Sequence, residues 1–206
     1  MVRLVLWRHG QTVFNLERRF QGQTDVPLNG EGRRQAHRAA RHLAALKPEA
    51  IFASDLSRAT ATAAALARLT RLPVQLDKDL RERSGGSWEG LSDVEIREQY
   101  PDAYERWAPP DGESAAAVAD RASVALERVA DSLDGGSLAV VVSHGAALGM
   151  GMSRLLGIPA GLRMLGPLGN CSWSVIGRLQ ANWRLLAHNV GTLPEPVPLP
   201  EAGDVE

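Results

Sequence analysis

The chain of 206 residues reads as an α/β protein with a mostly parallel central sheet and helices on both its faces. Three observations carry this. Strand-like and helix-like stretches alternate, as in βαβ units whose crossovers cover a parallel sheet. Two strand-like runs, Val2–Trp7 and Leu138–Val142, are apolar without alternation, the pattern of strands covered on both sides. Both runs lead into a histidine followed by glycine, in Arg8-His9-Gly10 and in Ser143-His144-Gly145. Open α/β sheets bind their ligands beyond the carboxyl ends of the strands.

Taken in order, Val2–Trp7 is interrupted only by Arg3 and is the first strand. Residues 11–28 are polar and irregular, with Gly22 and Pro27 as turn markers. Asn29 is placed to cap a helix from Gly30 to about Leu46, with Ala36, Ala40, Leu43 and Ala44 on one stripe. Ala50–Ala53 is a short strand, Ser54-Asp55 a cap, Leu56–Thr70 an Ala-rich helix and Pro73–Leu76 a third strand. After the Gly-rich loop Ser84–Gly90, Ser92 and Glu95 have the spacing of a capping box, opening a helix to about Tyr100. Trp107–Gly112 is a Pro-broken loop, and a long helix follows from about Glu113 to Leu133. Leu138–Val142 is the strongest strand, and a helix over Ala146–Leu156 follows it. Ser172–Ile176 and Trp183–Ala187 form a C-terminal hairpin with a turn near Gly177–Ala181.

Length and composition bound the function. The apolar fraction of 44% and charged fraction of 23% exclude wholesale disorder. The size fits one domain, placed at residues 1–190, with a short helical cap insertion at about 84–112. Residues 191–206 hold four prolines and four acids without a base, and read as a disordered tail. With 23 basic and 24 acidic residues the net charge is −1, so no nucleic-acid partner is expected. A single cysteine, Cys171, leaves no intrachain disulfide and no four-cysteine zinc site, and it reads as a small buried apolar residue. No apolar run reaches the ~18 residues of a membrane span. The apolar start is too short for a signal peptide and has no cleavage site, so a cytoplasmic protein is expected.

Four strand ends collect the candidate chemistry. Arg8 and His9 follow the first strand, and His144 the fourth. Arg58 follows the second, in Ser54-Asp55-Leu56-Ser57-Arg58, and Glu82 the third, in Leu80-Arg81-Glu82-Arg83. With Asp55 as the cap, Arg58 lies in the first helical turn, where a cation is unfavourable unless an anion faces it. Each residue alone has an ordinary structural explanation: a hydrogen-bonded histidine, a surface arginine, an ion-paired glutamate. Together they make a cationic pocket with one acid, suited to phosphate. No metal-ligand motif, Gly-x-Ser-x-Gly elbow or Walker loop is present, and neither metal nor cofactor is expected. The plausible nucleophile is a neutral histidine that attacks phosphorus while a backbone carbonyl holds its other N–H. Arg8, Arg58 and a charged His144 would stabilise the transferred group. Glu82, with its pKa raised by desolvation and phosphate, would protonate the leaving group and then activate water. Trp88, Trp107 and Trp173 read as core or loop anchors before cleft walls, and His37 and His42 as helix-surface residues.

The stretch Leu6-Trp7-Arg8-His9-Gly10-Gln11-Thr12-x-x-Asn15, followed by Phe20-Gln21-Gly22-x-x-Asp25-x-Pro27-Leu28-x-x-x-Gly32, resembles the histidine phosphatase superfamily, which includes the cofactor-dependent phosphoglycerate mutases. The match continues through Ser54-Asp55-Leu56-x-Arg58-Ala59-x-x-Thr62-Ala63, Leu80-Arg81-Glu82, Gly86-x-Trp88-Glu89-Gly90, Gly112-Glu113-Ser114 and Val142-Ser143-His144-Gly145. The resemblance implies a three-layer α/β/α sandwich and a phosphohistidine on His9. It makes Glu82 the proton donor and Arg8, Arg58 and His144 the phosphate pocket, with Asn15, Gln21, Gly22 and Gly145 as further phosphate or substrate contacts. It implies a small phosphorylated metabolite as substrate, such as a sugar phosphate or phosphoglycerate derivative, and a homodimer. Mutases of the family carry a longer insertion after the acid, so the short one here favours hydrolysis. Phosphoglycerate mutase is the alternative, and a silent phospho-ligand sensor a third reading.

Overall fold

The computed structural model describes residues 1–159 and 164–192. Its strands are β1 (Val2–Arg8), β2 (Ala50–Ala53), β3 (Val74–Leu76), β4 (Leu138–Ser143), β5 (Trp173–Leu179) and β6 (Asn182–Val190). Its α-helices are α1 (Val13–Leu16), α2 (Gly30–Ala45), α3 (Ser57–Thr70), α4 (Asp93–Gln99), α5 (Pro101–Glu105), α6 (Ala115–Asp131) and α7 (Gly145–Leu155). The strands form one sheet in the order β3-β2-β4-β1-β5-β6. The first four are mutually parallel, β5 runs antiparallel to β1, and β6 antiparallel to β5. Thus β1 lies inside the sheet, with Trp7 opposite Val142 on one side and Trp173 on the other.

The alternate side chains of β1 supply two cores. Val5 and Trp7 join Ile51, Ala53, Val140 and Val142 under α2 and α3. Leu4 and Leu6 join Ala139, Val141 and Ile176 under α6 and α7. This two-sided covering makes the three layers, and it explains the unbroken apolar runs. Alanines dominate the inner faces of α2 and α3, including Ala36, Ala39, Ala40, Ala59 and Ala63. A third, small core holds Trp88, Ile96 and Ala103, with Phe20, Leu91, Tyr100 and Tyr104 around it. It organises the segment between β3 and α6.

Local capping signals are realised at two helices. The Asn29 side chain accepts the Gly32 N–H, and Ser92 and Glu95 close a reciprocal box. Asp55 does not cap α3. Its carboxylate is held by the Arg81 fork at 2.7 and 2.6 Å, and the cap position falls on Leu56, whose side chain cannot accept. The α3 terminus is satisfied instead by Asp25, whose Oδ1 accepts from Ser57 N at 2.8 Å and Ser57 Oγ at 2.7 Å. The short helix α1 interrupts a stretch that reads as irregular, α5 falls between the helix ending near Tyr100 and the Pro-broken loop, and Ser84–Gly90 contains a 3₁₀ turn at Gly86–Trp88. The hairpin strands are longer than their sequence signals, leaving Gln180 and Ala181 as the turn. Residues 193–206 of the expected tail lie outside the described residues.

Candidate active site

Arg8 and His9 stand at the end of β1, Arg58 in the first turn of α3, Glu82 just after the 3₁₀ turn Lys78–Leu80, and His144 at the N-cap of α7. These positions lie beyond adjacent strands of the parallel half of the sheet. Backbone bonds pin the strand ends together: His9 N–H donates to Ser143 O at 3.0 Å and Ser54 N–H to Val142 O at 2.9 Å. The two imidazoles meet with ring centroids 5.1 Å apart and planes at 60°. Arg58 Nε donates to His144 Nδ1 at 3.2 Å. The structure therefore brings Arg8, His9, Arg58, Glu82 and His144 to one edge.

Each ring has an assignable tautomer. His9 Nδ1 lies 2.7 Å from the Gly10 carbonyl oxygen. A carbonyl only accepts, so the proton sits on Nδ1 and Nε2 carries a lone pair. At His144 the guanidinium of Arg58 only donates, so Nδ1 is the acceptor and Nε2–H donates to Ser54 Oγ at 2.9 Å. Both histidines are fully buried, and both are held well below the ordinary imidazole range. Burial is the main cause, with Arg8 and Arg58 repelling a proton from His9, and Arg58 foremost repelling one from His144. Burial, with Arg58 next, thus disfavours the charged form of His144.

Those guanidiniums are desolvated cations. Burial pushes Arg58 down to about 10 and lowers Arg8 as well, with Glu82 the chief opposing charge for both. Arg58 spends three of its five N–H bonds inside the protein: on His144, on Thr24 O at 2.9 Å and on Gly22 O at 2.7 Å. Two remain. Arg8 NH1 donates to Leu168 O at 2.6 Å, while its buried Nε has no partner. A buried unpaired donor beside a half-used guanidinium is the mark of an anion site. Gly145 lies beside this guanidinium, where a Cβ would make an ordinary contact 3.5 Å from Arg8 Nε.

Neither arginine flanking Glu82 pairs with it. Arg81 goes to Asp55, and Arg83 turns its guanidinium to the carbonyls of Glu113 and Trp107. Glu82 Oε1 accepts from Arg83 N at 2.8 Å and Ala147 N at 2.9 Å, and Oε2 from Ala146 N at 3.1 Å. The carboxylate is thereby seated on the first-turn amides of α7, which His144 opens. Two donors on Oε1 and one on Oε2 leave Oε2 with a free lone pair.

The remaining sequence candidates take supporting places. Thr12 Oγ1 donates to Gln21 Oε1 at 2.7 Å. Asn15 closes the α1 capping box with Thr12 and accepts from Asn170 Nδ2 at 3.1 Å, and the same Nδ2 reaches His9 O at 3.2 Å. Gly22, at φ +53, supplies its carbonyl to Arg58. Trp88 and Trp173 are buried core residues, whereas Trp107 is 40% exposed and packs edge-on against Trp88 and Tyr104. Cys171 is buried, with its thiol pushed up to about 12.

Sequence reasoning gave no role to several residues that build the site. Thr62 Oγ1 accepts from Gly10 N at 3.1 Å while donating to Arg58 O at 2.7 Å, tying the two loops that carry His9 and Arg58. Glu89 accepts from Gly85 N, Gln23 N and Thr24 N, and from Thr24 Oγ1, fixing the loop that holds Arg58. Asp25, Ser54 and Arg121 belong with them. Asp25, Ser54, Thr62 and Glu89 fall inside the motifs quoted above, but their partners are distant in sequence. No group of three metal-ligating side chains occurs among the described residues.

A family model described as histidine phosphatase superfamily (branch 1) matches residues 4–191. Glucosyl-3-phosphoglycerate phosphatase of Mycolicibacterium vanbaalenii is 41% identical over 184 residues, covering 83% of this chain and 82% of that protein. "Probable phosphoglycerate mutase GpmB" of Escherichia coli is 37% identical over 190 residues, covering 89% and 88%. Among solved structures, a mycobacterial glucosyl-3-phosphoglycerate phosphatase in complex with VO3 superposes with a TM-score of 0.87. It is 37% identical and covers 92% of this chain and 99% of that one.

Proposed function

The chain belongs to the histidine phosphatase superfamily, and from that premise we propose that it hydrolyses phosphate monoesters of small metabolites through a phosphohistidine on His9. It is a phosphoric monoester hydrolase, the activity that the Mycolicibacterium relative and the mycobacterial structure carry by name. The observation that carries the mechanism is the Nδ1–H of His9 tied to the Gly10 carbonyl, which leaves Nε2 unprotonated among two guanidiniums.

The substrate phosphoryl group sits between the two uncommitted N–H bonds of Arg58 and the free Nε of Arg8. These donors are aimed before the substrate arrives, which is where most of the acceleration of phosphoryl transfer originates. His9 Nε2 attacks phosphorus in line, the Nε2–P bond forms and the ester P–O bond breaks. The proton that the phosphate monoanion brings in passes to the free lone pair of Glu82 Oε2 and from there to the leaving alkoxide. The resulting carboxylate removes a proton from water, which attacks phosphorus, releases orthophosphate and restores His9. Gly10 packs its backbone against Gly32 at the start of α2, and Gly145 opens α7 beside Arg8. Asn15 and Gln21 hold the loop between β1 and α2 as the wall of the phosphoryl site.

The substrate class is a sugar phosphate or phosphoglycerate derivative, supported by the named activity of the Mycolicibacterium relative. Residues 84–112 act as its cap, and the compact core around Trp88 supports that role. The reading places the enzyme in the cytoplasm. No described helix is long and apolar enough to cross a membrane.

Three assays test this. The enzyme releases orthophosphate from p-nitrophenyl phosphate in EDTA, and His9→Ala abolishes it. Acid-labile label from a phosphate donor is retained in His144→Ala and absent in His9→Ala. Full hydrolysis by His9→Ala refutes the phosphohistidine, and bisphosphate-primed conversion of 3-phosphoglycerate to 2-phosphoglycerate as the dominant activity refutes the hydrolase. A panel of phosphorylated metabolites ranked by kcat/KM then identifies the substrate.

A further inference from the structure

The segment that delivers Glu82 leaves the sheet after Leu76, so its peptide groups have no strand to bond. Four consecutive carbonyls, from Asp79 to Glu82, nevertheless all find donors. Ser143 Oγ donates to Leu80 O at 2.6 Å. Arg121, on α6, supplies the rest: NH1 donates to Asp79 O at 2.8 Å and to Arg81 O at 2.7 Å, and NH2 to Glu82 O at 3.0 Å. Gln23 Nε2 adds a second donor to Glu82 O at 3.1 Å.

The remaining two N–H bonds of Arg121 grip Glu113. Nε meets Oε1 at 2.7 Å and NH2 meets Oε2 at 2.7 Å, a two-pronged pair. All five guanidinium donors are therefore used, with the side chain only 19% exposed. Glu113 Oε2 in turn accepts from Ser84 N at 2.8 Å, two residues beyond Glu82. Arginine and glutamate thus hold the main chain on both sides of the acid.

We propose that Arg121 is a positioning residue for the reaction: through the carbonyls of 79, 81 and 82 it fixes where the Glu82 carboxyl stands relative to the leaving group. This rests on Glu82 being the proton donor. The planar fork spans a carboxylate and three carbonyls at once. A lysine, with three donors radiating from one nitrogen, cannot reproduce that span. Arg121 makes no hydrogen bond to Arg8, His9, Arg58 or His144, and Arg121→Lys keeps the charge that acts on His144, so its effect should be felt through Glu82. An acid displaced by about an ångström loses rate steeply even when it is intact.

The test compares two substrates of unequal leaving group. An alkyl phosphate needs a proton on departure, whereas p-nitrophenolate leaves without one. Arg121→Lys is expected to lower kcat/KM, which covers only the steps up to the phosphoenzyme and so leaves out the water attack common to both esters, by about 10–100-fold on the alkyl ester, part of the roughly 10²–10⁴ that a general acid supplies, and by less than about threefold on p-nitrophenyl phosphate. In a Glu82→Gln background the further loss from Arg121→Lys should vanish, because both act on one step. Equal losses on the two esters, or losses that multiply in the double variant, overturn the proposal. Should Arg121→Lys fail to fold, Glu113→Gln decides: it keeps the carbonyl bonds, weakens the fork and should give the same asymmetry at smaller size, and equal losses again overturn it. Glu82→Gln alone separates the two layers of the argument. If it spares alkyl esters, the acid assignment itself falls. If it harms them and the Arg121 and Glu113 variants do not, the positioning role falls alone.

Discussion

The two neutral histidines make folding stability depend on pH in a calculable way. An unfolded chain binds protons at both with a pKa near 6.5, whereas the fold holds both well below that value by burial and by two guanidiniums. The unfolded state therefore binds more protons below 6.5, and stability falls as pH falls. The contribution is complete above pH 6.5 and is lost progressively between 6.5 and the depressed folded values. From pH 7.5 to 5.5, each histidine that stays neutral in the fold costs about 1.4 kcal/mol, and the pair about 2.7 kcal/mol. Urea unfolding in phosphate-free buffer at the two pH values measures this. Other groups titrate too, so the informative quantity is the difference between parent and variant. His144→Gln should shrink the pH span by about 1.4 kcal/mol, and His9→Gln with His144→Gln by about 2.7 kcal/mol. Variants that keep the parental span would show that the imidazoles are not buried neutral partners, and the tautomer argument would fall with them.

Two further perturbations probe the scaffold. Asp25→Ala removes both bonds to Ser57 at the start of α3 and should cost about 1 kcal/mol, typical of a lost cap. Because Arg58 lies in that first turn, inhibition by orthophosphate should weaken several-fold alongside, and an unchanged inhibition constant would separate the cap from the pocket. Gly32→Ala places a Cβ against the Gln11 carbonyl oxygen, where the start of α2 packs on the loop following His9. It should destabilise by about 2–3 kcal/mol in urea unfolding, and a loss below about 0.5 kcal/mol would mean that the loop gives way freely.

What could be read from the chain itself was whatever depends on near neighbours or on repeat pattern. Val2–Trp7 and Leu138–Val142 announce strands covered on both faces, and Asn29 and the Ser92–Glu95 pair announce helix starts within four residues of themselves. The strand ends then assemble Arg8, His9, Arg58, Glu82 and His144 by topology alone. Partnerships across long separations were illegible. The cap on α3 comes from Asp25, 32 residues before Ser57, and Asp55, which has the right spacing for a cap, is taken by Arg81. Arg121 looks like any charged residue on a long helix until the fold lays it across residues 79–82. The charge of His144 is likewise a matter of its surroundings. A motif names the residue, but its charge is set by how completely the neighbours exclude water.

Strand β1 leads into His9 and sits between β4 and β5, both of which come far later in the chain. Its neighbours are residues 138–143 and 173–179, so both flanks stay open through most of translation. The apolar stretch Val2–Trp7 must be kept from other contacts during that interval, and closing such distant pairs is slow. His9 consequently reaches its buried environment only once β4 and β5 have been made and paired with β1.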